Sequence, residues 1–361
     1  MSAAAVATAR PEAPAALPVA IRPGAPARVR VRVAAPARLH LGFLDPAATL
    51  GRRFGSLGLV LDGLDTVVEL AEADADRFEA VDGGDAALAR ASAHLRTLRE
   101  VTGCTAPVRL ALRATTPMHA GLGSGTQLAL AVGTAFARLF DLDPGSATLA
   151  QWLGRGARSG VGIAGFDHGG LLLDGGPRAD GAPAALLARL ALPAPWRVIL
   201  ALDPRVQGLS GAAERSALAG LPPLPCERSA EICHEVLMRV LPGAAGAEFE
   251  AFAAGVTRLQ RLLGDHFAPA QQGRRFTSAA VARLMDWLAD QGPAAIGQSS
   301  WGPTGFAIVA SAAQARQALA AARDAGVLDA ALDVRVTTAR GRGADVRVDA
   351  DGDAAAFAMA E

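Results

Sequence analysis

Apolar and charged residues alternate strictly where the regular part of the chain begins. Val29, Val31 and Val33 are separated by arginines in the run RVRVRV. A spacing of two is typical of a β-strand with one buried and one solvated face, so a strand is predicted here. Further strands are predicted at 56–61, 66–70, 107–113, 196–203, 304–310 and 332–337.

Apolar residues at helical spacing predict seven helices. They are expected at 86–101, 124–140, 147–158, 227–240, 247–263, 278–290 and 312–325. Strands and helices are interspersed, which indicates the α+β class. A Pro/Gly/Ala-rich stretch at 175–195 predicts the crossing between two domains, 28–190 and 191–361. Residues 1–27, rich in Ala and Pro, are expected to form a disordered tail.

The composition limits the classes of partner. The chain has 361 residues, 51% of them apolar, with 35 basic and 35 acidic side chains. A net charge of zero provides no overall field for nucleic acid or an anionic membrane, and no long uninterrupted apolar run predicts a membrane span. We therefore expect neither partner. Three scattered cysteines match neither a disulfide framework nor a zinc motif and favour a cytoplasmic location.

The sequence contains no lysine. This excludes a P-loop lysine, a pyridoxal Schiff base and a lysine nucleophile. Cationic contacts to a phosphate must therefore come from arginine, histidine or backbone N–H groups. A G-x-G-x-x-G pattern at 160–165 lacks the preceding strand and the following helix of a dinucleotide-binding fold, so the Rossmann interpretation is set aside.

A glycine-rich turn runs directly into the helix predicted at 124–140. The segment PMHAGLGSGTQLALAV (117–132) combines glycines that permit tight turns with Ser124 and Thr126, either of which can cap the helix. The N–H groups and the positive end of such a helix bind anions. The alternative is a capped helix without a ligand. The phosphate-binding candidates are Gly121, Leu122, Gly123, Ser124, Gly125 and Thr126.

Four polar residues of the segment RLHLGFLDPAATLGRR are candidates for chemistry. His40 lies among apolar residues, where a hydrogen-bonded core histidine is the alternative. Asp45 is either a turn residue or a group that binds magnesium, orients an arginine or stabilises positive charge. Arg52 and Arg53 lie in a loop, and a guanidinium group can bind phosphate or carboxylate through two hydrogen bonds. The alternative is a pair of solvated arginines.

Two further segments carry candidate side chains. Asp167 and His168, in GFDHGG, form either an acid/base or metal corner or an exposed turn. The segment GQSSWGPTG (297–305) offers hydroxyl groups and an indole ring that can stack on an aromatic acid. Its alternative is a Gly/Pro turn whose Trp fills a gap between the domains. The candidates there are Ser299, Ser300, Trp301 and Gly302.

Three segments together resemble, in order and spacing, the three motifs of the GHMP kinase superfamily. They are APARLHLG (35–42), PMHAGLGSGTQLALAV (117–132) and GQSSWGPTGFAIV (297–309). The resemblance covers residues 28–340. It implies a two-domain α+β GHMP-kinase-like fold, with a ribosomal S5 domain 2-like N-terminal domain and a ferredoxin-like C-terminal domain, and it implies phosphate binding by the middle loop.

Longer segments, RLHLGFLDPAATLGRRFGSLGLVLD and RSGVGIAGFDHGGLLLDGG, are similar to an atypical branch, the β-ribofuranosylaminobenzene 5'-phosphate synthases. That branch implies a pentosyltransferase that joins phosphoribosyl pyrophosphate to 4-aminobenzoate or 4-hydroxybenzoate, losing pyrophosphate and CO2, in tetrahydromethanopterin biosynthesis. It further implies Mg²⁺, no ATP, and a homodimer. The catalytic candidates are then His40, Asp45, Arg52 and Asp167. The substrate-binding candidates are Arg38, Arg53, His168, Ser299, Ser300, Trp301 and Gly302; no metal ligand is assigned.

The chain departs from the kinase pattern at one position. Kinases of the superfamily resemble P-S-G-x-D in the region after the second helix, and that Asp assists the attacking hydroxyl group. The corresponding segment here is RSGVG (158–162), which has Gly162 in place of the carboxylate; Asp167 is a candidate to replace it. The synthase is therefore the leading interpretation. An ATP-dependent small-molecule kinase and a non-catalytic anion-binding protein are the alternatives.

Overall fold

The computed structural model describes residues 29–81, 84–209 and 211–349. The tail predicted at 1–27 lies outside the described residues. The strands are β1 (Arg30–Asp45), β2 (Phe54–Glu72), β3 (Arg77–Ala80), β4 (Val108–Ala114), β5 (Leu171–Asp174), β6 (Leu186–Leu190), β7 (Arg197–Leu202), β8 (Ala295–Gln298), β9 (Gly305–Val309), β10 (Asp333–Thr337) and β11 (Asp345–Asp349).

The helices are α1 (Asp85–Thr102), α2 (Ser124–Leu139), α3 (Ser146–Trp152), α4 (Val161–His168), α5 (Gly211–Gly220), α6 (Cys226–Glu235), α7 (Leu241–Ala245), α8 (Phe249–Phe267), α9 (Ala279–Asp290) and α10 (Ala312–Asp324). The helices predicted at 86–101, 124–140, 278–290 and 312–325 are found within one residue at each end, whereas the helix predicted at 147–158 ends at Trp152 and α4, α5 and α7 were not predicted. A π-helical turn at Val236–Val240 joins α6 to α7.

The first sheet has the strand order β11-β1-β2-β4-β3. Strand β5 pairs with the beginning of β2, at 56–59, and β6 pairs with β5. The two strands predicted at 56–61 and 66–70 are one long strand, β2. It remains continuous because β1 pairs with both halves, and the turn-like residues between them are absorbed by a shift of register between Pro36 and Arg38. A second shift, between His40 and Gly42, bends β1 where the predicted site residues lie.

The second sheet has the antiparallel order β10-β7-β9-β8. The last strand does not belong to it: β11 returns to the first sheet and pairs with β1 over Arg30–Ala34. The C-terminal domain is therefore not the continuous span 191–361 that the sequence predicted. A prediction from local pattern cannot detect this return, because the charged and apolar alternation of β11 suits an edge strand of either sheet.

A shared core holds the two domains together. Leu39 and Leu57 of the first sheet pack in the same cluster as Phe252, Leu259 and Phe306 of the second domain. A second cluster surrounds α2, whose side chains are buried on nearly every face. The glycine-rich turn is thus attached to a helix that cannot move without disrupting the core. Among the described residues, no helix combines the length and apolarity needed to cross a membrane.

Candidate active site

The three sequence segments meet at the carbonyl oxygen of Gly121. It accepts hydrogen bonds from Arg38 Nη1 and from Ser299 Oγ, each at 2.8 Å. The Ser299 hydroxyl also accepts the N–H of His40 at 2.9 Å, and Ser300 N–H donates to the His40 carbonyl at 3.2 Å. The segments near residues 38, 121 and 299 therefore form one network although they are far apart in sequence.

The glycine-rich turn presents the beginning of α2 as an anion-binding end. Gly121 and Gly123 have φ of +80° and +82°, which only glycine adopts without strain. Gly123 is the N-cap and no side chain caps the helix, so the expected caps from Ser124 and Thr126 are wrong. The N–H groups of Ser124 and Gly125 donate to no acceptor within the described residues. Unpaired N–H groups of this kind bind phosphate.

Arg38 lies directly against this turn. A Cβ on Gly123 would lie 3.1 Å from the Arg38 Cζ, so the guanidinium group needs glycine there. Burial lowers the pKa of Arg38 to about 10, against the opposing effect of Glu214, and its Nε has no hydrogen-bond partner among the described residues. Glu214 itself binds Arg158 at 2.7 Å. Arg38 stays charged at neutral pH and is only partly satisfied by the protein.

His40 is a buried, neutral imidazole. Burial, followed by the charges of Arg38 and Arg158, lowers its pKa to about 3. Its ring packs edge-on against Phe43 at 4.6 Å, and its Nε2 has no hydrogen-bond partner within the described part of the chain. A neutral ring whose Nε2 has no partner in the protein can form a hydrogen bond with a ligand, but it is a poor proton acceptor at neutral pH.

A narrow cleft opens beside the His40 ring, between β1 and the second domain. Trp301 lines it but is only 3% exposed, and its ring packs against Phe267 at 4.8 Å. The walls combine aromatic rings with amide groups and one guanidinium group. They include Phe43, Gln260, Phe267, Gln271, Arg275 and Trp301.

Asp45 is saturated by the protein and lies at the end of β1. Its carboxylate accepts the N–H of Leu50 at 2.6 Å, with Ala47 N–H and the hydroxyls of Thr49 and Ser229 at 3.2–3.3 Å. Burial raises the pKa of this carboxyl, but these hydrogen bonds outweigh the burial and hold it below its ordinary value. Asp45 therefore fixes the loop 46–53 against Ser229 of α6.

That loop carries Arg52 and Arg53, both exposed. Arg53 donates to the Pro46 carbonyl at 3.0 Å and lies over the ring of Phe54, 4.9 Å from its centroid. Phe54 in turn contacts Phe43 at 5.1 Å. Arg53 thus connects through two rings to the cleft beside His40, while Arg52 lies at the open tip of the loop.

Asp167 and His168 do not join this site. Both are exposed at the last turn of α4, and Asp167 accepts a hydrogen bond from Ser146 Oγ at 2.5 Å. The first turn of α4 is the end near the glycine-rich turn, because a Cβ on Gly162 would lie 3.1 Å from Thr126 Cγ2. The predicted acid/base corner is therefore corrected: Asp167 lies at the end of α4 away from the glycine-rich turn, where it is exposed and bound to Ser146.

Sequence reasoning missed a second group of cationic residues beside the loop. Arg155 follows α3 and faces Gly125, whose Cβ would lie 3.4 Å from its Nη1. Arg90 of α1 contacts His119 Nε2 at 3.1 Å, and Arg155 contacts His94 Nε2 at 3.5 Å. The absence of lysine was the available signal, since any cationic side chain at a phosphate must then be arginine or histidine.

Comparisons with known proteins agree with this geometry. Residues 87–170 match the GHMP kinases N terminal domain and residues 244–328 match the GHMP kinases C terminal domain. Mevalonate diphosphate decarboxylase from Staphylococcus aureus superposes with a TM-score of 0.61 at 14% identity, covering 89% of this chain and 98% of that structure. The fold and the motif network thus define a two-domain protein of the GHMP kinase superfamily, as predicted.

Curated relatives place the chain more narrowly. The β-ribofuranosylphenol 5'-phosphate synthase of Archaeoglobus fulgidus is 33% identical over 293 residues, covering 78% of this chain and 88% of the relative. The synthase of the same name from Methanothermobacter thermautotrophicus is 28% identical over 291 residues, covering 76% and 87%. The chain belongs to the β-ribofuranosylphenol 5'-phosphate synthase family. The predicted enzyme class is confirmed, and these relatives carry the phenol name where the motifs suggested aminobenzene.

Proposed function

We propose that this enzyme condenses phosphoribosyl pyrophosphate with 4-hydroxybenzoate or 4-aminobenzoate. The bond between ribose C1 and the pyrophosphate oxygen breaks, and its electron pair leaves with the pyrophosphate. The ring carbon that bears the carboxylate bonds to C1, and loss of CO2 returns an electron pair to the ring. The products are the ribofuranosyl arene 5'-phosphate, pyrophosphate and CO2.

The observation that carries this proposal is the network at the Gly121 carbonyl, which places an anion-binding helix end next to an aromatic-lined cleft. In the proposal, the N–H groups of Ser124 and Gly125 and the guanidinium group of Arg38 hold the leaving pyrophosphate. The aryl acid lies in the cleft, with His40 Nε2 accepting a hydrogen bond from its hydroxyl or amino group. The unpartnered atoms of Arg38 and His40 support this arrangement.

The proposal includes a Mg²⁺ ion that binds together with the pyrophosphate group. Among the described residues no three His, Cys, Asp or Glu side chains come together as a cation site. Mg²⁺ at phosphate sites commonly takes one or two carboxylates and completes its shell with substrate oxygens and water. Glu214, one oxygen of which binds Arg158, fits that single-carboxylate role beside Arg38. Bound there, Mg²⁺ would neutralise charge on the leaving group.

The test is a carboxyl-label assay. Purified enzyme with Mg²⁺, phosphoribosyl pyrophosphate and carboxyl-labelled 4-hydroxybenzoate or 4-aminobenzoate should release labelled CO2 and pyrophosphate in equal amounts. An Arg38→Gln variant should lose most of this activity, and an Arg96→Gln variant, exposed on α1, should keep it. Absence of label release with both acids contradicts the proposal. ATP-dependent phosphorylation of a small alcohol would support the kinase, and binding without turnover the anion-binding protein.

A further inference from the structure

A cavity of about 370 Å³ lies in the second domain, between helices α8 and α9 and the edge strand β8. The apolar part of its lining consists of Phe276, Ile296 and three alanines of α9. Cavities of this size hold small organic molecules. Four exposed arginines also line the cavity: Arg261, Arg274, Arg275 and Arg283.

The lining carries more positive charge than the protein neutralises. The side chains of Arg261 and Arg274 form no hydrogen bond or ion pair with any residue that the structure describes. The other two arginines each lie near one carboxylate from outside the lining, Asp265 or Asp329. Asp286 is the only acidic side chain in the lining itself, counted over the described residues. Because a concave surface concentrates the field of such charges, the cavity attracts anions.

The cavity shares a wall with the aromatic cleft of the proposed active site. Gln260, Arg275 and Gln298 line both spaces. Gln260 is fixed in this wall, since its Nε2 donates to the Leu41 carbonyl at 2.5 Å and its Oε1 accepts the Gln298 N–H at 2.9 Å. A Cβ on Gly297 would clash with the Gln260 amide, so β8 packs directly against it. The cavity therefore adjoins the proposed active site, and a hydrogen-bonded wall divides the two.

We propose that this cavity is a second binding site, which takes a phosphate monoester that bears a ring. The ring covers Phe276 and Ile296, and the phosphate is held by Arg261 and Arg274, because guanidinium groups bind phosphate through paired hydrogen bonds. A sugar phosphate without a ring system would leave the apolar lining in contact with water. An uncharged ring would leave the arginines without a counter-charge. Only a ligand with both parts matches the lining.

Two kinds of compound have this chemistry. One is the product of the proposed reaction, an aryl riboside 5'-phosphate, and this source rests on the proposed function. The other is a nucleoside monophosphate, which would come from outside the reaction. The substrates of the proposed reaction match the lining less well, because phosphoribosyl pyrophosphate lacks an aromatic ring and the aryl acid lacks a phosphate.

The experiment measures dissociation constants by titration calorimetry on the full-length enzyme, with AMP, adenosine and ribose 5-phosphate as probes. AMP should bind at least about tenfold more tightly than either of the other two. Arg261→Gln and Arg274→Gln should each weaken AMP binding about tenfold, as expected for loss of a charged hydrogen bond. Arg316→Gln, exposed on α10 and outside the lining, is the matched control and should change it less than about twofold. Arg38→Gln, at the glycine-rich turn, should also leave it unchanged.

The outcomes separate the site from its alternatives. Loss of AMP binding in Arg38→Gln but not in Arg261→Gln and Arg274→Gln overturns the proposal, as does equal affinity for AMP and ribose 5-phosphate, or no binding of any monophosphate. Because Arg261 and Arg274 are exposed and unpaired among the described residues, their variants should melt at the wild-type temperature.

The source of the ligand is decided by a second comparison. Aryl riboside 5'-phosphate isolated from the label assay should bind at this site, and binding tighter than that of AMP identifies the product as the occupant. The reverse order identifies a nucleoside monophosphate, and the site stands in either case. Wild-type enzyme that releases no CO2 contradicts the proposed function instead, while the AMP titrations still report on the cavity.

Discussion

The close approach of Gly121 to the third motif predicts a large catalytic effect from one added methyl group. Gly121 has φ of +80°, and a Cβ placed on it would lie 2.2 Å from the Ser299 carbonyl oxygen. Because that oxygen belongs to the backbone, the clash is relieved only if the turn and the 299–302 segment move apart by about 1 Å. A displacement of that size can lower the rate about 100-fold when it misplaces reacting groups. The left-handed backbone adds about 1 kcal/mol of strain.

Gly103 provides the matched control. Its φ is +76°, nearly that of Gly121, but a Cβ there meets nothing within 4 Å. Gly103→Ala should therefore lower the free energy of unfolding by about 1 kcal/mol and leave kcat/KM unchanged. Gly121→Ala should lower kcat/KM about 100-fold, measured by labelled CO2 release, with the fold checked by circular dichroism. If Gly121→Ala folds poorly, Ser299→Ala is the alternative variant, because it removes the hydrogen bond from Ser299 Oγ to the Gly121 carbonyl without adding a clash. Equal activity of the two alanine variants would refute the reasoning.

Three further predictions concern buried groups. Since the pKa of His40 falls from 6.5 to about 3 on folding, the unfolded state binds the proton first as pH drops, and His40 should cost about 3 kcal/mol of stability at pH 4.5 relative to pH 7.5. Urea unfolding of wild type and His40→Gln should show this difference only in the wild type. Asp174 is fully buried and accepts N–H groups of Gly160, Val161 and Gly176, so Asp174→Ala should lose about 3–5 kcal/mol, whereas the exposed Asp180→Ala should lose under about 1 kcal/mol. Glu214→Gln should raise the Mg²⁺ concentration needed for half-maximal activity, and an unchanged Mg²⁺ dependence would remove Glu214 as a ligand.

Much of the fold was predictable because it depends on local pattern. The apolar run after the glycine-rich turn forms α2 as expected, and WRVILALD forms the buried strand β7. α4 was missed because GVGIAGFDH has poor helix propensity. Its beginning is instead held by Asp174 of β5, which binds the N–H groups of Gly160 and Val161, a contact between segments that no local pattern reveals.

The site was predictable in its motifs and unpredictable in its cationic residues. Arg155 falls inside the helix predicted at 147–158, and nothing in that helical pattern indicates that its side chain contacts the glycine-rich turn. The helix ends at Trp152 instead, and Gly154 and Gly156, both with positive φ, turn the chain so that Arg155 reaches Gly125. Asp45 and Asp167 illustrate the converse: carboxylates that look available in sequence are engaged in the structure by neighbouring N–H and hydroxyl groups.

The proposed reaction needs no base at the attacking carbon. A kinase must remove a proton from the attacking hydroxyl group, which is the task of its carboxylate. In the proposed reaction the attacking carbon bears a carboxylate and no proton, and departure of CO2 restores the aromatic ring, so there is no proton to accept at that carbon. Gly162 at the position of the base and a neutral His40 with pKa near 3 are consistent with that requirement. What the reaction does need is stabilisation of a departing polyanion, and the unpaired N–H groups of α2 with Arg38 are arranged to provide it.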